Sequence, residues 1–391
     1  MPARSFPTAC AWLGPCALAA ALLVSDAGGS LPPPNIVLFV ADDISAGDFG
    51  CYGHPSLRTP HIDALARDGL RFEQAYLVTS SCSPSRTSLL TGRYPHNTGA
   101  PELHMDRSPI LATLPQFPEL LRERGYYTAQ SGKTHFNGDA SKSFEAYHGA
   151  QDAGASGAER WVQCLRDRPK DRPFFMWFSP YDAHRPWDMS LAQSGYAPED
   201  VVVPPYLVDT PRTREDLARY YGEVSRFDRH VGFVMAELRS QGVLDNTVIV
   251  VIADNGRPFP RDKTWLYDGG IKTPLIVHWP AGISSAAVTD SLVSAIDLPP
   301  TLLELAGVAV PASMQGVSLV PILRDPVARV RDFVFAEQNW HTMRKHERLV
   351  RHGRWVYLRN HLPELPGFEL GEWYKPDAWA YHDLARTWHA G

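Results

Sequence analysis

An open, mostly parallel α/β sheet covered by helices on both faces is the fold this sequence predicts. Short, almost unbroken apolar runs recur between residues 35 and 279, helix-like segments alternate with them, and two of the runs end in acidic pairs. The first run, 35–41, follows three prolines and has the pattern of a strand buried on both faces. Thr59-Pro60 then caps a helix that Gly69 ends. A second helix is predicted over 114–124, stopped by Gly125, with a strand from Tyr126. Residues 173–179 and 247–253 are two further buried strands, and between them 213–240 is a long amphipathic helix with Gly242 beyond its end. Residues 274–279 form the next strand and 299–305 a helix. From about residue 326 the pattern changes to short strands over 333–337, 348–351 and 355–359, the last two turning near Gly353. These predict a smaller C-terminal antiparallel sheet.

Composition narrows the class. The 391 residues suffice for one large α/β domain with a smaller partner, and 44% hydrophobic with 21% charged residues is ordinary for a globular enzyme. A net charge of −5 supplies no basic footprint, which argues against nucleic acid as a partner. Thirty-four prolines and 29 glycines imply many loops, as where long connections build a site over a sheet.

The N-terminus reads as an export signal. Arg4 is the positive region, 11–24 the apolar region, and Ser25-Asp26-Ala27 a cleavage site with small residues at the two positions that are read. The apolar run is short for a membrane span, though an uncleaved anchor is the competing reading. Cys16 follows a proline, a poor match to a lipoprotein box. The predicted organisation is a signal peptide at 1–27, a catalytic domain at 28–325 and a C-terminal subdomain at 326–391. Loss of 1–27 leaves Cys51, Cys82 and Cys164, an odd number that points to a free or modified cysteine in an exported protein.

In open sheets of this kind ligands sit at the carboxyl ends of the strands. The first strand runs into Asp42-Asp43, and the strand at 247–253 runs into Asp254-Asn255-Gly256. Adjacent carboxylates repel each other unless a cation is present, and three carboxylates with an amide oxygen make a hard all-oxygen site suited to Ca²⁺ or Mg²⁺. Each pair alone also makes turns and helix caps. Both pairs at strand ends, with Cys82 between them in sequence, favour a metal site.

Cys82-Ser83-Pro84-Ser85-Arg86 reads Cys-x-Pro-x-Arg and continues into Leu-Leu-Thr91-Gly92-Arg93. This stretch resembles the sulfatase signature, in which the cysteine is oxidised to Cα-formylglycine by a separate formylglycine-generating enzyme. The resemblance extends over most of residues 35–360. It implies an alkaline-phosphatase-like fold, one Ca²⁺ held by Asp42, Asp43, Asp254, Asn255 and the modified residue 82, and a sulfated saccharide as substrate. Gly132-Lys133-Thr134-His135 resembles the family's Gly-Lys-x-His segment, and His184-Arg185-Pro186 its His-x-Pro loop. Lys263, ahead of Tyr267-Asp268-Gly269-Gly270, sits where the family has a sulfate-binding lysine or arginine. Singly, these lysines and histidines are equally surface or core residues.

By the resemblance, Ca²⁺, Arg86, Lys133 and Lys263 offset the charge of the sulfuryl group. Asp254 is the base that helps one hydroxyl of the hydrated aldehyde attack sulfur. His184, alone or with Lys263, protonates the departing atom, and His135 takes the proton from the second hydroxyl to expel sulfate. The stretches at 206–238 and 255–263 look like the heparan N-sulfatase branch of the family, which points to N-sulfated glucosamine. Arg185, Trp340 and His341 are the expected substrate contacts, although Trp340 and His341 equally suit packing beneath the hairpin. A segment resembling Leu-Tyr-Asp-Leu…Asp-Pro, usual beyond the hairpin, is not found before Gly391, so the C-terminal subdomain is expected to be shortened. An O-sulfatase on glycosaminoglycan sugars or aryl sulfates, a phosphatase or phosphonate hydrolase, and an inactive carbohydrate-binding protein on the same fold remain the alternatives.

Overall fold

The large sheet is built outward from β1 (Asn35–Ala41), every residue of which after the first is buried. Around it lie β2 (Leu70–Phe72), β4 (Tyr127–Gly132), β5 (Ala146–His148), β6 (Phe174–Ser179), β7 (Thr247–Ala253), β8 (Leu275–His278) and β9 (Ala287–Thr289); β3 (Ala75–Tyr76) and β10 (Val293–Ser294) pair separately. The computed structural model describes residues 32–103, 109–136, 139–149, 154–283, 286–365 and 375–390, so the expected signal peptide lies outside the described residues. Among these, the strand order is β5-β4-β6-β1-β7-β8-β2-β9. Neighbours run parallel except at β8, which is antiparallel to both β7 and β2.

Period-two alternation assigns each strand residue to one of two cores. Ile36, Leu38 and Val40 of β1 pack with Val248, Val250 and Ile252 of β7 on one face. Val37, Phe39 and Ala41 pack with Ile249, Val251 and Ala253 on the other. The second face is covered by the helix Pro211–Ser240, which presents Leu217, Val224, Val231 and Leu238 at helical spacing. Pro211 occupies its first turn, and the Thr210 side chain accepts from the Thr213 N–H. The first face is covered by the helices Cys82–Thr91 and Leu298–Leu305.

The C-terminal sheet is antiparallel, as expected: β11 (Val334–Trp340), β12 (Arg344–His352) and β13 (Trp355–Asn360). The turn between β12 and β13 contains Gly353 at φ 53°, left-handed backbone that glycine adopts without steric cost. Its inner face adds Val334, Ala336 and Leu349 to the first core. Residues 375–390 do not belong to this sheet. Their helix, Trp379–Ala390, lies against the helix Pro211–Ser240, with Asp383 accepting from Thr213 at 3.3 Å and the Ala380 N–H donating to Asp216 at 3.1 Å. Cys51 and Cys164 are both free thiols.

Candidate active site

Four parallel strands deliver the chemistry at their carboxyl ends. Asp42 and Asp43 follow β1, Asp254 and Asn255 follow β7, Lys133 follows β4, and His184 lies in the loop after β6. The mutual pairing of β4, β6, β1 and β7 holds these ends side by side. Successive residues of a strand point to opposite faces, yet both aspartates face the site. Asp43 achieves this at φ 56°, a left-handed conformation that aspartate tolerates better than most residues. Its N–H then donates to Asp254 Oδ1 at 3.2 Å, joining the two acidic pairs.

Cys82 opens the helix Cys82–Thr91, all of whose residues are buried. Ser81 is its N-cap residue but makes no side-chain cap bond. Its hydroxyl instead meets His341 Nδ1 at 2.8 Å. One turn on, Arg86 enters the cluster with its Nε 2.7 Å from Asp254 Oδ2, while its Nη1 donates to Ser179 Oγ at 2.5 Å and to the Lys133 carbonyl at 3.1 Å. Lys133 Nζ lies 2.5 Å from Asp42 Oδ2, and Lys263 Nζ lies 2.8 Å from Asp43 Oδ2. Three buried carboxylates therefore face three buried cations, and the cluster balances.

This donor set fits a divalent cation. Asp42, Cys82 and Asp254 each offer a ligand atom, all within 4.8 Å of one another. Asp42 Oδ1 and Asn255 Oδ1 are buried without a hydrogen-bond partner, as metal-facing oxygens would be. Asp43 sits at the edge of the group, its Oδ1 accepting from Asn255 Nδ2 at 2.7 Å. Burial pushes Asp42 up to about 8 against the pull of Lys133, with Asp254 and Asp43 adding to the rise. That crowding is what a cation relieves. Burial also acts to raise Asp254, but Arg86, Lys133 and Lys263 outweigh it and hold the carboxyl below its usual range. The Cys82 thiol is pushed up to about 11 by burial, which Lys133 and Lys263 oppose.

His184 is half-buried, and burial, then Lys133, Lys263 and Lys375, hold it well below 6.5. Burial beside three lysines therefore favours the neutral imidazole near pH 7. His135, two residues past Lys133, is half-buried at φ 42°.

Arg185 is a correction. Expected to meet substrate, it is fully buried and its donors are taken by the protein: Nη1 and Nη2 each 2.7 Å from an Asp216 oxygen, Nε to the Pro258 carbonyl at 3.2 Å and Nη1 to the Asp377 carbonyl at 2.9 Å. It also lies over the rings of Trp187 and Phe259. A planar guanidinium with five donors suits such a hub. It ties the His184 loop to the helix Pro211–Ser240 and to residues 375–383. Trp340 ends β11 half-buried, and His341 beside it is buried against Ser81.

Sequence reasoning missed the braces from the C-terminal sheet and from the segment that begins at Lys375. Gln338 Oε1 accepts from Thr79 Oγ1 at 3.1 Å and from the Ser80 N–H at 3.3 Å. Lys345 Nζ reaches the Thr264 carbonyl at 3.0 Å and lies 4.2 Å from the centre of the Trp265 ring. Lys375 Nζ donates to the Arg185 carbonyl at 2.8 Å. Each is polar, buried or half-buried, and on a strand or segment distant in sequence; an inward-facing Gln338 and Lys345 within alternating strands was the available signal.

The sulfatase family profile matches residues 34–308, and the C-terminal profile of N-sulphoglucosamine sulphohydrolase matches 259–363. Human N-sulphoglucosamine sulphohydrolase is 33% identical over 373 residues, covering 84% of this chain and 73% of that protein. Human arylsulfatase A is 30% identical over 378 residues, covering 78% and 70%. A solved structure of a protein with its substrate D-glucosamine-2-N,6-O-disulfate superimposes with a TM-score of 0.71 at 20% identity, over 92% of this chain and 98% of that one, and shares the fold. With the signature helix at Cys82 and the strand-end acids in place, the chain belongs to the sulfatase family, hydrolases of sulfate esters or sulfamates.

Proposed function

We propose that this protein removes sulfate from N-sulfated glucosamine at the non-reducing end of heparan-type chains, with residue 82 as Cα-formylglycine and one Ca²⁺ bound by Asp42, Asp43, Asp254 and Asn255. The observation that carries the sulfamate reading is the C-terminal profile match at 259–363. It spans Lys263 and the C-terminal sheet, the part of the molecule that frames the site. Export through residues 1–27 and maturation by a formylglycine-generating enzyme belong to the same reading. No helix among the described residues is long and apolar enough to cross a membrane.

The hydrated aldehyde at residue 82 would supply one hydroxyl, its proton taken by Asp254, to form the O–S bond as the S–N bond breaks, and a second hydroxyl whose proton goes to His135 as sulfate leaves and the aldehyde is restored. A divalent cation would neutralise the developing charge on the sulfuryl oxygens. The rest falls to the chain. Arg86 fixes Asp254 through its Nε and spans to β4 and β6 through its Nη1. Lys133 and Lys263, each on an aspartate, place positive charge near residue 82. An arriving sulfuryl anion offsets that charge, raises the His184 pKa and makes His184 the proton donor to the leaving nitrogen. An amine leaves readily only when protonated, so this donor matters more for a sulfamate than for an ester of an acidic alcohol.

Removal of an O-linked sulfate is the second reading, favoured by the 30% identity with arylsulfatase A. Comparison of kcat/KM for N-sulfated glucosamine, 6-O-sulfated N-acetylglucosamine and an aryl sulfate decides between them. The first should exceed the others by at least about 100-fold; preference for either O-sulfate would defeat the sulfamidase reading and leave the family intact. Mass spectrometry of the peptide containing residue 82, from the native host, should show the aldehyde, and an unmodified thiol in soluble exported protein would favour the binding alternative.

A further inference from the structure

The outer face of the C-terminal sheet carries a surface that the catalytic site does not use. In antiparallel pairs, directly opposed residues share a face. Phe335 opposes Val350, which opposes Tyr357, and His352 opposes Trp355. Phe333 stacks on His352 with ring centroids 4.7 Å apart. Trp355 and Tyr357 are 69% and 65% exposed, and Phe333 and Phe335 nearly half exposed. An aromatic shelf of this kind left open to water departs from the ordinary solvated face of a sheet.

Charge continues the same rows. Glu337 opposes Arg348, which opposes Arg359, two residues along from the aromatic row. Arg344 and His346 follow on β12, and His346 stacks on His361 at 4.5 Å. The acid in these rows, Glu337, is buried and held by His96 at 3.1 Å and Arg348 at 3.4 Å. Arg354 lies over the Trp355 ring at 5.0 Å. A chain of net charge −5 thus gathers arginines and histidines beside exposed rings on one face.

We infer that this face is an accessory binding surface for a sulfated polysaccharide, distinct from the hydrolytic site. Flat exposed rings accept the C–H faces of sugars, while arginine forks pair with sulfate oxygens. The succession of aromatic rows and then basic rows along strands that rise about 3.4 Å per residue suits an extended chain better than a single sugar. The inner side of β11 braces the Cys82 loop through Gln338, so a polymer held on the outer side stays tethered to the molecule that trims it. The inference rests on the sulfated-saccharide reading of the function.

The test uses the full-length mature protein, a heparin oligosaccharide of about ten sugars, and N-sulfated glucosamine as a small substrate. Trp355→Ala/Tyr357→Ala and Arg344→Glu/Arg359→Glu should each weaken heparin binding in calorimetry at least about tenfold, with kcat/KM on the small substrate within about twofold of the parent. Binding unchanged in both variants overturns the proposal. So does loss in the arginine variant alone with equal binding of a DNA oligomer, which would mark attraction by charge only. A shift from dimer to monomer in sedimentation, with heparin affinity unchanged, would assign the face to a second copy of this chain and also overturn it. Because binding is read separately from turnover, an absence of N-sulfatase activity would defeat the functional reading without deciding this one.

Discussion

The strand-end cluster and the C-terminal sheet solve opposite problems with the same residue types. In the cluster, arginine, lysine and aspartate are wholly buried, so each charge must be answered by another: Arg86 by Asp254, Lys133 by Asp42, Lys263 by Asp43. In the C-terminal sheet, arginines and aromatic rings face water on one side, while Gln338 and Lys345 on the other hold loops in place. The difference teaches where function is concentrated. Buried charges tolerate no substitution without leaving a partner uncompensated, whereas a bracing hydrogen bond shifts a loop by degrees.

That contrast breaks most sharply at residue 82. Cys82→Ala should lower kcat by at least about 10⁴-fold while the thermal midpoint changes little, because only the reacting group is removed. Residual turnover within tenfold of the parent would place the nucleophile elsewhere. Next in size, Arg86→Met strands Asp254 in a buried site and should cost about 3–5 kcal/mol in denaturant unfolding. A loss under 1 kcal/mol would mean that the cluster is less coupled than its distances state.

The brace should respond more gently. His341→Ala removes the partner of the Ser81 hydroxyl and should cost about 1–3 kcal/mol of stability and roughly tenfold in kcat, with KM little changed. A loss confined to KM would show that His341 contacts substrate and does not position the Cys82 helix. The smallest effect concerns pH. The folded pKa of His184 is depressed, so its protonated fraction falls as pH rises, and kcat/KM should decline from acid toward neutral pH. Lys375→Gln removes one of the charges that depress it; the pKa then rises and the limb should move to higher pH by a few tenths of a unit. Movement to lower pH in the measured profile would remove His184 as the proton donor.

The sequence by itself determined the parallel sheet, because uninterrupted apolar runs such as 35–41 and 247–253 are stable only with both faces covered. The acidic pairs Asp42-Asp43 and Asp254-Asn255 were legible as the ends of two such strands, whereas Arg86 and Lys133 were legible only through the resemblance of the motifs that carry them. What lay beyond it was the direction taken by long side chains whose partners are remote in sequence. Arg185 sits beside His184, yet its fork turns inward because Asp216, thirty-one residues away, arrives there on the helix Pro211–Ser240. Ser81 stands at the N-cap position of its helix, yet its hydroxyl meets His341, which the end of β11 brings there from 260 residues away. Such choices depend on which elements pack together, and a charged or polar group buried by that packing takes whichever partner the tertiary structure brings within reach.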